Sequence, residues 1–307
     1  MSRVRLQLER IRAAVAAIDP VFLDTPALPC APLGELLGCS LTLKVETLNP
    51  VRCFKGRGGS VLAAQAAPGD VLACASAGNF GQGVAYGART AGLRCVVYAS
   101  DAAQPDKLAR MRALGADVRL VAGDFDAAKD AAEAAAAEEG MRSIVDGREP
   151  EIALGAGTIA RELTAWPEPI DAVVIPVGNG SLAWGMTTWL AAHSPETELI
   201  GVGPTGAPMM EHAWRTGSLE SFGPTDTVAD GLAARVPVAE AVQALRGTLH
   251  RFVLVDDDRL GDAMALLADR CGVIAEPSGA AGLAGALALR QELTGRTVAF
   301  PVTGSNV

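Results

Sequence analysis

The chain has 307 residues, half of them hydrophobic and only 4% aromatic, with 34 glycines and a formal net charge of −9. That length supports a substantial core in one large or two smaller domains, and a composition rich in alanine, valine and leucine suits an α/β protein with buried parallel strands. The acidic balance argues against nucleic acid as a partner, because phosphate binding needs a positive surface, and no apolar run reaches the length of a membrane span.

Taken in order, Arg3 to Ala17 reads as an amphipathic charged helix rather than a secretory signal. Short apolar strands then alternate with helices. Strands are predicted at Leu41–Glu46, Val71–Ser76, Cys95–Ser100, Asp117–Val121, Ser143–Asp146, Asp171–Val177, Leu199–Gly203, Arg251–Asp256 and Thr297–Val302. Helices are predicted at Ser60–Ala67, Gln82–Ala91, Pro105–Leu114, Asp126–Glu139, Leu182–His193, Asp258–Cys271 and Ala280–Gln291. The alternation implies right-handed βαβ units: an α/β fold with two open, twisted, mostly parallel sheets flanked by helices. A boundary near Gly147–Pro150 assigns 71–148 to a small mobile domain, and 1–70 with 149–307 to a large cofactor-binding one. Ligands of such sheets bind at the carboxyl ends of strands, in the crevice between domains.

The 6 cysteines show no paired spacing, which fits reduced thiols in a cytoplasmic protein. The 3 histidines, His193, His212 and His250, are far apart. None has a cysteine or carboxylate at ligand spacing, so a zinc site or a serine–histidine triad has no support.

Several turns carry the chemistry. Lys55, in Cys53-Phe54-Lys55-Gly56-Arg57-Gly58-Gly59, sits between a predicted strand and a predicted helix, where a fold can present an amine to a carbonyl. Ser76-Ala77-Gly78-Asn79 follows a strand and opens a helix, a setting that favours an anion and puts an asparagine donor beside it. Gly178-Asn179-Gly180-Ser181-Leu182 offers successive backbone N–H groups as a phosphate cradle. It also reads as a dinucleotide turn, but the next strand ends in Gly203-Pro204 where that reading wants an acidic residue, so a simple phosphate fits better. Thr303 follows the last strand and can meet a ring nitrogen, and Glu276 precedes a helix-opening turn. One ligand uses an amine, a phosphate cradle, a phenolate donor and a ring-nitrogen partner together: pyridoxal 5′-phosphate.

With these motifs the chain resembles fold-type II pyridoxal-phosphate enzymes, the tryptophan synthase β family, and within it the threonine/serine dehydratase and serine racemase branch. The similarity runs from Thr25-Pro26 through Phe54-Lys55-Gly56-Arg57-Gly58, Ser76–Asn79, Gly178–Leu182, Thr227–Leu232 and Glu276–Ala280 to Thr303–Asn306. It implies that Lys55 holds the cofactor and removes the substrate α-proton, and that Asn79 contacts the cofactor's 3′-oxygen. It further implies phosphate binding by Gly178, Asn179, Gly180, Ser181 and Leu182, a ring nitrogen facing Thr303, Phe54 and Glu276 in the cofactor pocket, and a substrate carboxylate on Ser76, Ala77 and Gly78.

Departures from the family pattern bear on the substrate. Cys53 stands in place of a usual serine, and Val51-Arg52 replace Thr-Gly, with Arg52 expected to add positive charge near the substrate. Ala77 replaces the serine base of eukaryotic racemases, so racemisation is not expected. Gly203–Met209 lacks cation-binding carboxylates, so no metal is expected. The resulting expectation is a homodimeric enzyme that eliminates and deaminates L-threonine, L-serine or a related β-substituted amino acid. Capture of the same intermediate by a nucleophile, as in cysteine synthases, is the alternative.

Overall fold

The computed structural model describes residues 6–307; Arg3 and its neighbours at the start of the first expected helix lie outside the described residues. In chain order the elements are α1 (Leu8–Ala17), β1 (Ala27–Pro29), α2 (Ala31–Leu37), β2 (Ser40–Val45), α3 (Lys55–Ala64), β3 (Val71–Ala75), α4 (Asn79–Thr90), β4 (Arg94–Ser100), α5 (Pro105–Ala113), β5 (Asp117–Val121), α6 (Phe125–Glu139) and β6 (Arg142–Ile144). They continue as α7 (Pro150–Thr164), β7 (Ala172–Pro176), α8 (Ser181–His193), β8 (Glu198–Pro204), α9 (Met209–Thr216), α10 (Ala239–Leu245), β9 (Arg251–Val255), α11 (Asp257–Cys271), α12 (Pro277–Ala288), α13 (Arg290–Leu293) and β10 (Thr297–Val302).

The strands form two sheets, as expected. One has six strands in the order β1-β2-β10-β7-β8-β9, and the other has four in the order β5-β4-β3-β6. All neighbours are parallel except β1, which runs antiparallel to β2. Successive side chains of a strand point to opposite faces. Along β7, Val173 and Ile175 accordingly enter a core shared with α3, α4, α7 and α8, whereas Ala172 and Val174 enter a second core with α2, α11 and α12. The first core also takes Leu72, Cys74 and Val97 from the four-stranded sheet, so the two sheets share one continuous apolar layer.

The sequence placed a helix from Ser60, but α3 begins at Lys55 and takes Gly56, Gly58 and Gly59 into its first turns. Glycine disfavours helix by about 1 kcal/mol, and here packing outweighs that cost. A β-carbon on Gly59 would lie 1.9 Å from the Gly83 carbonyl oxygen, and one on Gly83 2.6 Å from that of Lys55. The backbones of α3 and α4 therefore touch along a seam that side chains would force open. Helix α7, unpredicted, packs its own glycines against α3 and α8, and β1 is an edge strand too short for periodicity to reveal. Among the described residues no helix is long and apolar enough to cross a membrane.

Candidate active site

Lys55, Ser76–Asn79, Gly178–Leu182, Glu276 and Thr303 line one cavity of about 480 Å³ between the two sheets. The segments holding Lys55, Ser76–Asn79, Gly178–Leu182 and Thr303 each follow the carboxyl end of a parallel strand, where such sheets leave a crevice, and Glu276 joins them from the turn between α11 and α12.

The loop before Lys55 is built by Asn49. Its side chain donates to the carbonyls of Glu46 (2.8 Å) and Cys53 (3.2 Å) and accepts from the Val51 N–H (3.1 Å). Cys53 then bridges to Gly304, and the Phe54 N–H donates to the Thr303 carbonyl at 3.1 Å, which sets Lys55 against the turn after β10. Arg52 departs from the expected place. It takes a left-handed backbone (φ 52°) at the tip of this loop, its side chain is exposed, and it does not line the cavity. The tight turn directs it to solvent, so it adds no charge at the substrate position.

The Lys55 amine donates to Asp146 Oδ2 at 2.7 Å and to Ser181 Oγ at 3.0 Å. The Phe54 and Phe80 rings stand 4.7 and 5.6 Å away. Two residues on, Arg57 is fully buried and fixes the start of α3. It pairs with Glu46 through two bonds of 2.8 Å, with Glu162 at 2.6 and 2.9 Å, and with the hydroxyls of Thr158 and Thr25. Lys44 joins the cluster through Glu162 at 2.5 Å. Burial pushes the Glu162 carboxyl up, but Arg57 and Lys44 outweigh it and hold the group below the usual glutamate range. Burial also drives the Cys53 thiol up to about 12, leaving it neutral and unreactive beside the lysine.

Gly180 adopts φ 93° and caps α8, a conformation that costs glycine nothing. Among the described residues, the N–H groups of Gly178 to Leu182 have no hydrogen-bond acceptor. In the turn after β3, Ser76 Oγ accepts from the N–H groups of Gly78 (3.1 Å) and Gly81 (2.9 Å), holding the turn open. Asn79 is tied on both sides: its amide nitrogen donates to Glu276 and its oxygen accepts from Asn306 at 2.6 Å. Burial raises the Glu276 carboxyl above its usual range, against the lowering effect of Asn79. Thr303 is buried, and next to it the Ser278 hydroxyl is buried without a partner among the described residues.

Residues 18–304 match the model of a family described as pyridoxal-phosphate dependent enzyme. The chain belongs to this family. Over 306 residues this pyridoxal-phosphate-dependent enzyme is 30% identical to L-threonine ammonia-lyase of Thermotoga maritima, covering 98% of the chain and 76% of that protein. It is 35% identical to the biosynthetic L-threonine dehydratase of Mycobacterium leprae, covering 96% and 71%. Its fold superposes on the crystal structure of T.th. threonine deaminase with a TM-score of 0.93 and 32% identity, covering 98% and 99% of the two chains.

The site of this pyridoxal-phosphate-dependent enzyme fits its family's cofactor on three counts. The α8 turn presents a row of unpartnered N–H groups to an anion. Lys55 reaches that turn through Ser181. A buried, unpartnered hydroxyl on Ser278 stands beside Thr303 where a heteroaromatic nitrogen can accept. Asp146 and Ser278 are two lining residues beside the lysine and Thr303 that sequence reasoning did not single out. Both lay inside segments it had marked, at a predicted strand end and in the Glu276–Ala280 turn. An acid at the carboxyl end of a strand was a usable signal.

Proposed function

We propose that this enzyme deaminates L-threonine or L-serine, eliminating the β-hydroxyl and releasing a 2-oxo acid and ammonia. The observation that carries the reading is the Lys55 amine in contact with Ser181 of the anion-binding turn, which joins the nucleophile to the phosphate site. The relatives named for threonine deamination supply the substrate class. Pyridoxal phosphate, when bound, supplies an electron sink conjugated to the α-carbon, which acidifies its proton. Lys55 is the residue to hold the cofactor covalently and then to take that proton.

The other residues bind and orient. Gly178, Asn179, Gly180, Ser181 and Leu182 hold the phosphate through backbone N–H groups. Ala77 and Asn79, in the turn braced by Ser76 and Gly78, offer N–H groups to the substrate carboxylate at the start of α4. Phe54 walls the pocket beside Lys55. Glu276 and Asn306 fix the Asn79 amide, which would then be placed to meet the cofactor's 3′-oxygen. Thr303 and Ser278 are neutral hydroxyls at the ring nitrogen. Being uncharged, they would hold that nitrogen by hydrogen bonding alone, without the pull toward protonation that a carboxylate would exert. Ala77 has no side chain able to act as a second base, so racemisation is not part of the activity.

The same reading makes the enzyme a cytoplasmic homodimer in which the half carrying 71–148 moves over the substrate. Ties across the cleft such as Asn79–Glu276 and Lys107–Asp230 support that closure.

The test is direct. Purified holoenzyme given L-threonine should yield 2-oxobutanoate and ammonia, and L-serine should yield pyruvate. Lys55→Ala should lose both the imine absorbance and the turnover; retained turnover would refute the assignment. A product carrying an added thiol, in place of the 2-oxo acid, would move the reaction to β-replacement.

A further inference from the structure

Asp146 is an unexplained group of this cavity. It stands just beyond β6, one oxygen 2.7 Å from the Lys55 amine and the other buried with no hydrogen-bond partner among the described residues. Its side chain is 13% exposed. A carboxylate accepts and never donates, and a buried one without a partner is costly. Lys55 is its one cationic partner among the described residues, and a lysine amine condensed with an aldehyde keeps at most one proton to offer. The demand for a donor therefore passes to whatever occupies the cavity.

The position decides which part of the occupant answers it. An amine that takes an α-proton must come within hydrogen-bond reach of the α-carbon, so a carboxylate touching that amine borders the α- and β-carbons. The field of the cavity has the same sense, with six carboxylates and four cationic side chains in its lining.

We propose that Asp146 is a specificity-determining residue for the β-substituent: it accepts a hydrogen bond from a β-hydroxyl or β-ammonium group and turns away β-carboxylates, β-phosphates and esters. The proposal rests on the reading of this cavity as the amino-acid site. It assigns the choice between a free hydroxyl and an acylated one to a single side chain.

The test uses holoenzyme and amino acids that lack an α-proton and so bind without reacting: α-methylserine, 2-aminoisobutyrate and α-methylaspartate. Dissociation constants are read from the shift in cofactor absorbance. The native enzyme should bind α-methylserine about tenfold tighter than 2-aminoisobutyrate, as expected for one hydrogen bond to a charged group, and should bind α-methylaspartate weakest. Asp146→Asn supplies an N–H donor, so it should bring α-methylaspartate to within about tenfold of α-methylserine, while Asp146→Glu should keep the native order. A residue that only braced Lys55 would alter all three affinities together.

Equal affinity of the native enzyme for α-methylserine and 2-aminoisobutyrate overturns the proposal, whatever the variants do. Unchanged ratios in Asp146→Asn overturn it as well. Native enzyme that shows the predicted order yet releases no 2-oxo acid from threonine or serine refutes the proposed reaction and leaves this assignment standing. Protein that takes up no cofactor refutes both.

Discussion

Replacing Arg57 by alanine tests the idea that a buried ionic cluster, rather than the helix itself, holds the start of α3 and Lys55 in place. Arg57 is wholly buried, and its partners Glu46 and Glu162 are almost so, at 1% and 7% exposure. Lys44 can still balance Glu162, but Glu46 would keep only the Thr25 hydroxyl at 2.6 Å. Removing one member of a buried pair costs about 3–5 kcal/mol, because the other charge stays buried. At roughly 2 °C per kcal/mol for a chain of this size, the melting temperature should fall by about 6–10 °C.

Acid conditions supply a second reading of the same perturbation. Arg57 and Lys44 lower the Glu162 pKa, so this stabilisation is present in full above the unfolded value and is lost as pH falls through the lowered one. The melting difference between native protein and Arg57→Ala should therefore be full at neutral pH and shrink below about pH 4. Circular-dichroism melts at several pH values measure both effects. A difference under about 2 °C at neutral pH, or one that does not depend on pH, would sink the argument.

Gly59→Ala should cost about 3 kcal/mol or more, since its β-carbon would meet the Gly83 carbonyl at 1.9 Å and neither backbone can yield without moving a helix; urea unfolding measures it, and a midpoint unchanged from native would contradict the seam. Cys53 should resist alkylation at pH 8 in the folded protein, because its thiol, pushed up to about 12 by burial, carries almost no thiolate there. Mass analysis after iodoacetamide treatment should find Cys53 unmodified in native protein and modified after denaturation.

The strands were legible because parallel, doubly buried strands read as short apolar runs, and β3, β4, β7 and β10 stand at their expected places. The turns around Lys55, Asn79, Gly180 and Thr303 were legible because glycine and asparagine at strand ends mark chain reversals. The strand-end place of Asp146 was visible locally, but its contact with the lysine was not: the pair is 91 residues apart in sequence, and only the apposition of the two sheets brings it together. Arg52 misled for the converse reason. Its place in the family motif, where Val51-Arg52 replace Thr-Gly, suggested a place in the cavity, and one left-handed residue sent the side chain the other way. The glycines after Lys55 suggested a loop, and their role as a packing surface belongs to a neighbouring helix that local sequence does not show.

That packing surface leaves Lys55 with no cushion. Lys55 contributes its own main chain to the line where α3 meets α4, and α4 follows a strand of the opposite sheet. Side chains between two bodies can change rotamer and soak up a small displacement, but abutting peptide groups cannot. Any tilt of the four-stranded half would thus reach Lys55 as a rigid push, and the place of its amine in the cavity becomes a readout of how the two halves are set.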